Sequence, residues 1–422
     1  MGNFAELLQS VSLPKVARIR QTFSDEHLQD IPNEICQALK RPGTLDRIQS
    51  GEKVAISVGS RGIDNLQLIV RTLVTELHKR GAEVTIIPAM GSHGGATAEG
   101  QREILLRLGI VPEVVGAEIV SNMDVNLIGL LADDTPVYLS QDALAADHIV
   151  LVNRIKPHTA FRGPIESGLI KMLTIGLGKQ KGAEVCHARG FKYMAQTLVE
   201  MGSLLLKETQ VTFGLGIVEN AYDQTHSIIT IPAEHLMEEE PKLLIKAKSL
   251  MPSLPVNQLD VLVIDEIGKD ISGDGMDPNI TGRYPTPYAS GGPEVAKMVL
   301  LDLTERSHGN ANGIGTADFV AKRLVEKMDM EQTYPNALTS TVTGPVKIPL
   351  TLGSDFDVIR AAVKTCNAAD PSMIRMVRIK NTLRIGEFWA SEAVVKELSK
   401  HHGELEIGEL EIWAFDYSGN LI

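Results

Sequence analysis

Between residues 53 and 108 the apolar positions follow two alternating rhythms. Lys53-Val-Ala-Ile-Ser-Val58 and Glu83-Val-Thr-Ile-Ile-Pro88 are short, nearly continuous apolar runs that predict buried strands. Between them Leu66, Ile69, Val70, Leu73, Val74 and Leu77 recur at helical spacing, and Gly81 suits the helix end. A second helix is predicted over Thr97–Leu108. Each strand runs into a glycine-rich segment, Gly59-Ser60-Arg61-Gly62 and Met90-Gly-Ser-His-Gly-Gly-Ala-Thr97. Strand, glycine loop and helix, twice over, imply a parallel sheet whose functional loops lie at the carboxyl ends of its strands. A third apolar run, His148-Ile-Val-Leu-Val152, brings the segment after it to the same edge. Three loops are therefore expected to converge: 58–65, 90–97 and 153–190.

Farther along, Val211–Val218 and Ser227–Ile231 read as two strands around a turn at residues 220–223. Leu250-Met-Pro-Ser-Leu-Pro-Val256 reads as a linker. Beyond it Asp260-Val-Leu-Val-Ile264 starts a second α/β unit, followed by the loop Gly268–Asn279. Helices are predicted at Thr316–Met328 and Asp355–Cys366, with a strand near Met373–Ile379. The first fifty residues are expected to be mostly helical and irregular. Leu405–Ile422 is expected to be strand-like and able to pair back onto either domain. The fold class is α/β: two α/β domains, residues 1–250 with a mostly parallel sheet and residues 256–422, with a cleft between them.

Composition narrows the function. The chain has 422 residues, 43% of them hydrophobic, enough for two domains with cores of their own. A formal net charge of −12 and 4% aromatic residues argue against a nucleic-acid binder. No apolar run reaches the ~18 to 20 residues a membrane span needs. The first twenty residues lack a basic segment followed by an apolar one, and three scattered cysteines build no disulfide framework. A cytoplasmic protein is expected.

The chemistry concentrates in Asn153–Gly190, where glycines alternate with Arg154, Lys156, His158, Arg162, Glu166, Lys171, Lys179, Lys181 and His187. A locally cationic pocket in an acidic protein can capture a carboxylate or phosphate. His93 and His158, on loops after different strands, are the types a two-sided proton transfer uses; singly, each reads as an ordinary loop histidine. Lys171 opens an apolar segment, where desolvation could make it a nucleophile, although a lysine reaching out to water is the commoner outcome. Cys186-His187 cannot complete a four-ligand metal shell, so a single histidine ligand makes sense only if a cofactor supplies the other donors. Gly176-Leu-Gly178-Lys-Gln-Lys181-Gly182 resembles a phosphate loop in composition but lacks the Walker pattern.

Taken together, these segments resemble the nickel-dependent lactate racemase family, the nickel-pincer nucleotide enzymes, as a divergent member. The family's D-x-T-R, G-x-H-R and PH…GG-x-K motifs and its later histidine have counterparts in Val58-Gly-Ser-Arg61, Gly91-Ser-His-Gly94, Pro157-His158…Gly168-Leu-Ile-Lys171 and His187. Lys171 and His187 stand 187 − 171 = 16 residues apart, as in the family pattern. The resemblance covers about residues 50–190 and weakens beyond 256.

The resemblance implies a nickel-pincer nucleotide, a pyridinium mononucleotide carrying two sulfur donors and a carbon bound to nickel. Lys171 would form the thioamide link and His187 the remaining nickel ligand. His93 and His158 would be the catalytic acid/base pair. Arg61, Ser60 and Gly168 would lie beside the cofactor, with Lys269, Asn279 and Arg283 as second-domain contributors. The implied reaction is racemisation or epimerisation of a 2-hydroxy acid by reversible hydride transfer, with the substrate between the domains. Separate cofactor-biosynthesis enzymes would load the protein, and a homodimer is one assembly it allows. Val58 stands where the family has Asp and Gly94 where it has Arg, and Glu166–Ile170 replaces the family's run before the lysine. Loss of an Arg beside His93 implies open space and a substrate other than lactate, such as a sugar acid. Two rivals carry less: a nicotinamide-dependent 2-hydroxy-acid dehydrogenase, for which no G-x-G-x-x-G follows the first strand, and a non-catalytic nickel or nucleotide carrier, which would need only Lys171, His187 and phosphate contacts.

Overall fold

A computed structural model describes residues 3–368, 370–400 and 405–422. The chain divides into two compact units, Ser24–Met251 and the pair of segments Met1–Phe23 and Pro252–Ile422.

The unit Ser24–Met251 is built on a six-stranded sheet in the order Glu118–Ile119, Glu83–Pro88, Lys53–Val58, His148–Arg154, Val211–Glu219, Thr225–Pro232. All neighbours are parallel except the last pair, an antiparallel hairpin. The central strands are buried along nearly their whole length, as a sheet covered on both faces requires. Because successive side chains alternate, Val54, Ile56 and Val58 join a core with the helix Leu66–Lys79, while Ala55, Ile149 and Leu151 join a second core on the opposite face. Thr97 caps the helix Ala98–Arg107 by accepting from Gly100 N. At the hairpin turn Asn220 Oδ1 accepts from Tyr222 N and Gln224 N.

From Lys53–Val58 the chain steps outward to Glu83–Pro88 and Glu118–Ile119, then returns to the other side of Lys53–Val58 as His148–Arg154. The strand order therefore reverses between Lys53–Val58 and His148–Arg154. The crevice beyond their carboxyl ends is where open α/β sheets bind ligands.

The second unit holds an eight-stranded mixed sheet, in the order Leu350–Leu352, Phe319–Ala321, Glu294–Leu303, Gln258–Ile267, Met376–Ile379, Glu387–Ser391, Val16–Gln21, Leu405–Ile407. The first five are parallel and the last three antiparallel. Two expectations need correction. Thr316–Met328 is not one helix: Phe319, Val320 and Ala321 form a short buried strand, and the helix is Lys322–Lys327. A three-residue apolar run fits either period, and the parallel partner Glu294–Leu303 decides it. The opening residues are also not free of strand, since Val16–Gln21 pairs on both its edges. The C-terminal strand Leu405–Ile407 pairs back onto it. No described helix is long and apolar enough to cross a membrane.

Candidate active site

The loop after Lys53–Val58 opens the site. Ser60 Oγ and His93 Nδ1 form a 2.5 Å hydrogen bond that links this loop to the one after Glu83–Pro88. Gly59 lies against the Met172 methyl group, with Asn153 and Ala89 O just beyond it. The segments that end three neighbouring strands thus meet at one place. His93 and Arg61 are exposed and Ser60 is partly so.

His158 belongs to the loop after His148–Arg154, and Glu166 shapes that loop. The Glu166 side chain is fully shielded, with Oε2 accepting from His158 N at 2.7 Å and from Arg162 at 3.2 Å. Its Oε1 accepts from Lys248 Nζ at 2.7 Å. Arg162 also donates to His158 O, and His158 Nδ1 accepts from Ala160 N at 3.0 Å. With Nδ1 used as an acceptor, the proton of the neutral ring sits on Nε2. The ring leans on Phe161 at a centroid distance of 4.3 Å, and Phe191 bridges His158 and His187 at 6.3 and 5.8 Å. Burial, then the positive charge of Lys171 and Lys156, the neighbouring His187 ring and Arg162, push the His158 imidazole well below its usual range. His187 is lowered by burial and by Lys171. Both rings are therefore neutral at pH 7.

The stretch 153–190 is only partly a loop. From Leu169 it becomes helical: Leu169–Lys171, a turn of π-helix at Met172–Gly176 with Leu177 N bonded to Met172 O at 2.8 Å, then Lys179–Ala188. The π turn wedges a wide segment under the sheet edge, a feature frequent at functional sites. Gly91 N donates to Gly176 O at 3.1 Å, tying the His93 loop to this helical segment. Gly168 precedes the first turn and has no side chain to cap it. Glu240, on the helix Leu236–Leu250, supplies the cap, its Oε2 accepting from Ile170 N at 2.9 Å. A Cβ on Gly168 would collide with Glu240 Oε1. Asn153 Nδ2 holds Gly168 O at 2.8 Å.

The donor set decides what this geometry can hold. His187 Nδ1 is buried and makes no hydrogen bond. A neutral imidazole with an uncommitted nitrogen is what a metal ligand requires. Cys186 on the same helix turns into the core, its sulfur 3.3 Å from Met201 Sδ, and burial pushes its thiol up to about 12. Among the described residues, no three His, Cys, Asp or Glu side chains gather as a metal site. A metal at His187 would thus draw its other donors from a non-protein group, and the residues fit a cofactor that brings its own.

Residues 7–196 match the family described as the lactate racemase N-terminal domain. Over these residues the chain is similar to that domain. The lactate racemase apoprotein from Thermoanaerobacterium thermosaccharolyticum is 13% identical, with a TM-score of 0.49 over 92% of this chain and 97% of that one. A protein from Thermotoga maritima is 13% identical, with a TM-score of 0.49 over 80% and 82% of the two chains. No curated protein matches the chain.

Within the matched residues, Ser60 bonds to His93, while His158, His187 and Lys171 form one electrostatic group. The departures from the family motifs have structural causes. Val58 is buried in the core and presents nothing to a ligand. Gly94, at φ +67°, does not open space. A side chain there would run into the backbone of Gly100 and Gln101 at 2.6 and 2.7 Å, because the helix Ala98–Arg107 fills the position. In the other unit, Lys269 Nζ donates to Gly273 O and Asn336 Oδ1, and Arg283 binds Val295 O, Ala296 O and Asp318. Asn279 bonds Asp277 next to a short helix. Each of the three makes hydrogen bonds within its own unit. Glu166, Glu240, Lys179 and Gln101 were not expected at the site. Only Glu166 and Lys179 carried a signal, as ionisable groups inside the stretch.

Proposed function

We propose that this protein is an isomerase, a racemase or epimerase of a 2-hydroxy acid that works with a nickel-pincer nucleotide. The observation that carries the proposal is the grouping of neutral His158 and His187 with Lys171 at the sheet's switch point. When bound, the cofactor supplies a hydride acceptor and donor. The Cα–H of a hydroxy carboxylate is too weak an acid to leave as a proton beside an existing negative charge, so such an acceptor is needed. Lys171 would tether the nucleotide and His187 would hold the nickel.

The protein's own task is proton transfer and orientation. The hydroxyl proton must leave when hydride leaves, from either enantiomer. His93 and His158 follow strands on either side of Lys53–Val58, so their strand ends lie about two strand spacings, ~10 Å, apart. That separation suits residues serving opposite faces of a planar keto acid. Cations around His158 would receive the carboxylate, and their own effect on its pKa would fall once an anion is bound. Gly94 leaves no extra room, but it also offers no guanidinium donor beside His93, and on that ground an acid other than lactate is the expected substrate. Separate cofactor-making enzymes would supply the nucleotide.

The test is co-expression with those enzymes, followed by intact mass, nickel analysis and chiral chromatography of a panel of enantiopure 2-hydroxy acids, lactate and aldonic acids included. His93→Ala and His158→Ala should each cut turnover by a hundredfold or more, the scale of acid/base catalysis, and leave nickel bound. Lys171→Ala should lose the mass adduct. Unchanged turnover in both histidine variants would overturn the isomerase reading, and bound nickel with no turnover of any acid would favour a carrier.

A further inference from the structure

Where the strand Glu83–Pro88 runs out into the loop Ala89–Thr97, three carbonyls turn inward: that of Pro88 at the strand end and those of Gly91 and His93 in the loop. Buried carbonyls need donors, because leaving one unpaired sacrifices its hydrogen bond to water. Two fully buried side chains meet them. Lys179 Nζ donates to Pro88 O at 2.6 Å and to Gln101 Oε1 at 3.2 Å. Gln101 Nε2 donates to Gly91 O at 2.8 Å and to His93 O at 3.3 Å. Lys179 is the first residue of the helix that carries His187, and Gln101 lies on the helix after the loop. Lys179 adopts this position with a left-handed backbone, φ +54°, which an L residue avoids without cause.

A buried lysine is a poor choice for packing. Burial pulls its ammonium down to about 8, so it is still charged at pH 7. Among the described residues no carboxylate is hydrogen-bonded to it; its hydrogen bonds go to the carbonyl and the amide oxygen, and Asp142 acts on it only through space. A methionine would fill the volume without the desolvation. What a methionine could not do is hold the loop by its carbonyls.

We infer that Lys179 and Gln101 form a buried brace that sets the loop bearing His93 in register with the helix bearing His187. Both are positioning residues and touch no ligand. The brace sets where the His93 ring meets Ser60. Its catalytic consequence rests on the isomerase reading, while the brace itself can be tested without it.

The experiment compares the wild type with Lys179→Met and Gln101→Glu. The second keeps an acceptor for Lys179 but turns an oxygen toward the two loop carbonyls. Amide hydrogen exchange on the protein without cofactor is the first readout. Residues 89–95 should exchange at least tenfold faster in either variant, with the helix Leu66–Lys79 unchanged. Unchanged exchange in the loop, or an equal rise in that helix in both variants, would overturn the brace. The second readout uses the panel acid racemised by the nickel-loaded wild type. The variants should lose at least tenfold in kcat with KM within twofold and nickel per chain unaltered; wild-type kcat in both would overturn the positioning role. If the wild type racemises no acid but the loop loosens as stated, the isomerase reading fails and the brace stands. If Lys179→Met does not fold, Gln101→Glu decides.

Discussion

Glu240 shows how one buried carboxylate can hold a site it never touches. Its Oε2 caps the first turn of the helix bearing Lys171, and its Oε1 is buried without a partner. Desolvation outweighs the backbone N–H bonds of Ile170 and Leu169 and raises its pKa from 4.5 to about 7. Between those values the folded state binds the proton and the unfolded state does not. The stability linked to this proton is fully present below pH 4.5 and is lost as pH rises through about 7. Glu240→Gln keeps an acceptor for Ile170 N and removes the buried charge. The substitution should stabilise the protein by about 1–3 kcal/mol at pH 8 and by almost nothing at pH 4.5. Urea unfolding at the two pH values checks this, and an equal effect at both would refute the assignment. No sequence pattern marks Glu240, because it sits in the run Glu238-Glu239-Glu240 beside an exposed Glu238 and a half-buried Glu239 that pairs with Arg41.

At the scale of elements, the strands and their following loops were legible because a parallel sheet buried on both faces writes itself as continuous apolar runs. The helix Leu66–Lys79 was legible from its 3.6-residue rhythm. The Leu169–Ala188 segment was not: its glycines at 176, 178 and 182 look like loop residues, whereas they admit close packing against the His93 loop and within the π turn. The Glu166 cluster was also out of reach, since Lys248 lies 82 residues away in sequence. That cluster carries its own prediction. Glu166→Ala would leave His158 N unpaired and Arg162 and Lys248 without their shared carboxylate. Both cations keep some access to water, Lys248 with 39% of its side chain exposed, so the loss falls below that of a fully buried pair. About 1–3 kcal/mol is expected by urea denaturation, together with faster amide exchange over residues 156–166. A stability equal to wild type would show that the loop is held elsewhere.

For the whole molecule, the division of the chain is set by one strand that sequence periodicity did not single out. Val16–Gln21 bonds Glu387–Ser391 on one edge and Leu405–Ile407 on the other. Val16, Ala17 and Ile19 are fully buried. Removing the strand would expose the edge of Glu387–Ser391 and forfeit roughly 1.5–3 kcal/mol for each of Val16 and Ile19. The sum is a large fraction of the 5–15 kcal/mol that holds a typical domain, and a bare hydrophobic edge invites aggregation. Residues 252–422 expressed alone should therefore fail to give a cooperative thermal transition. The same fragment joined to residues 1–23 through a flexible linker should give one. Residues 24–251 contain every strand of the six-stranded sheet and should fold alone, with the Ser60–His93 and Lys179–Gln101 contacts intact. Cooperative unfolding of 252–422 without the N-terminal strand would show that Val16–Gln21 adds to a sheet already complete.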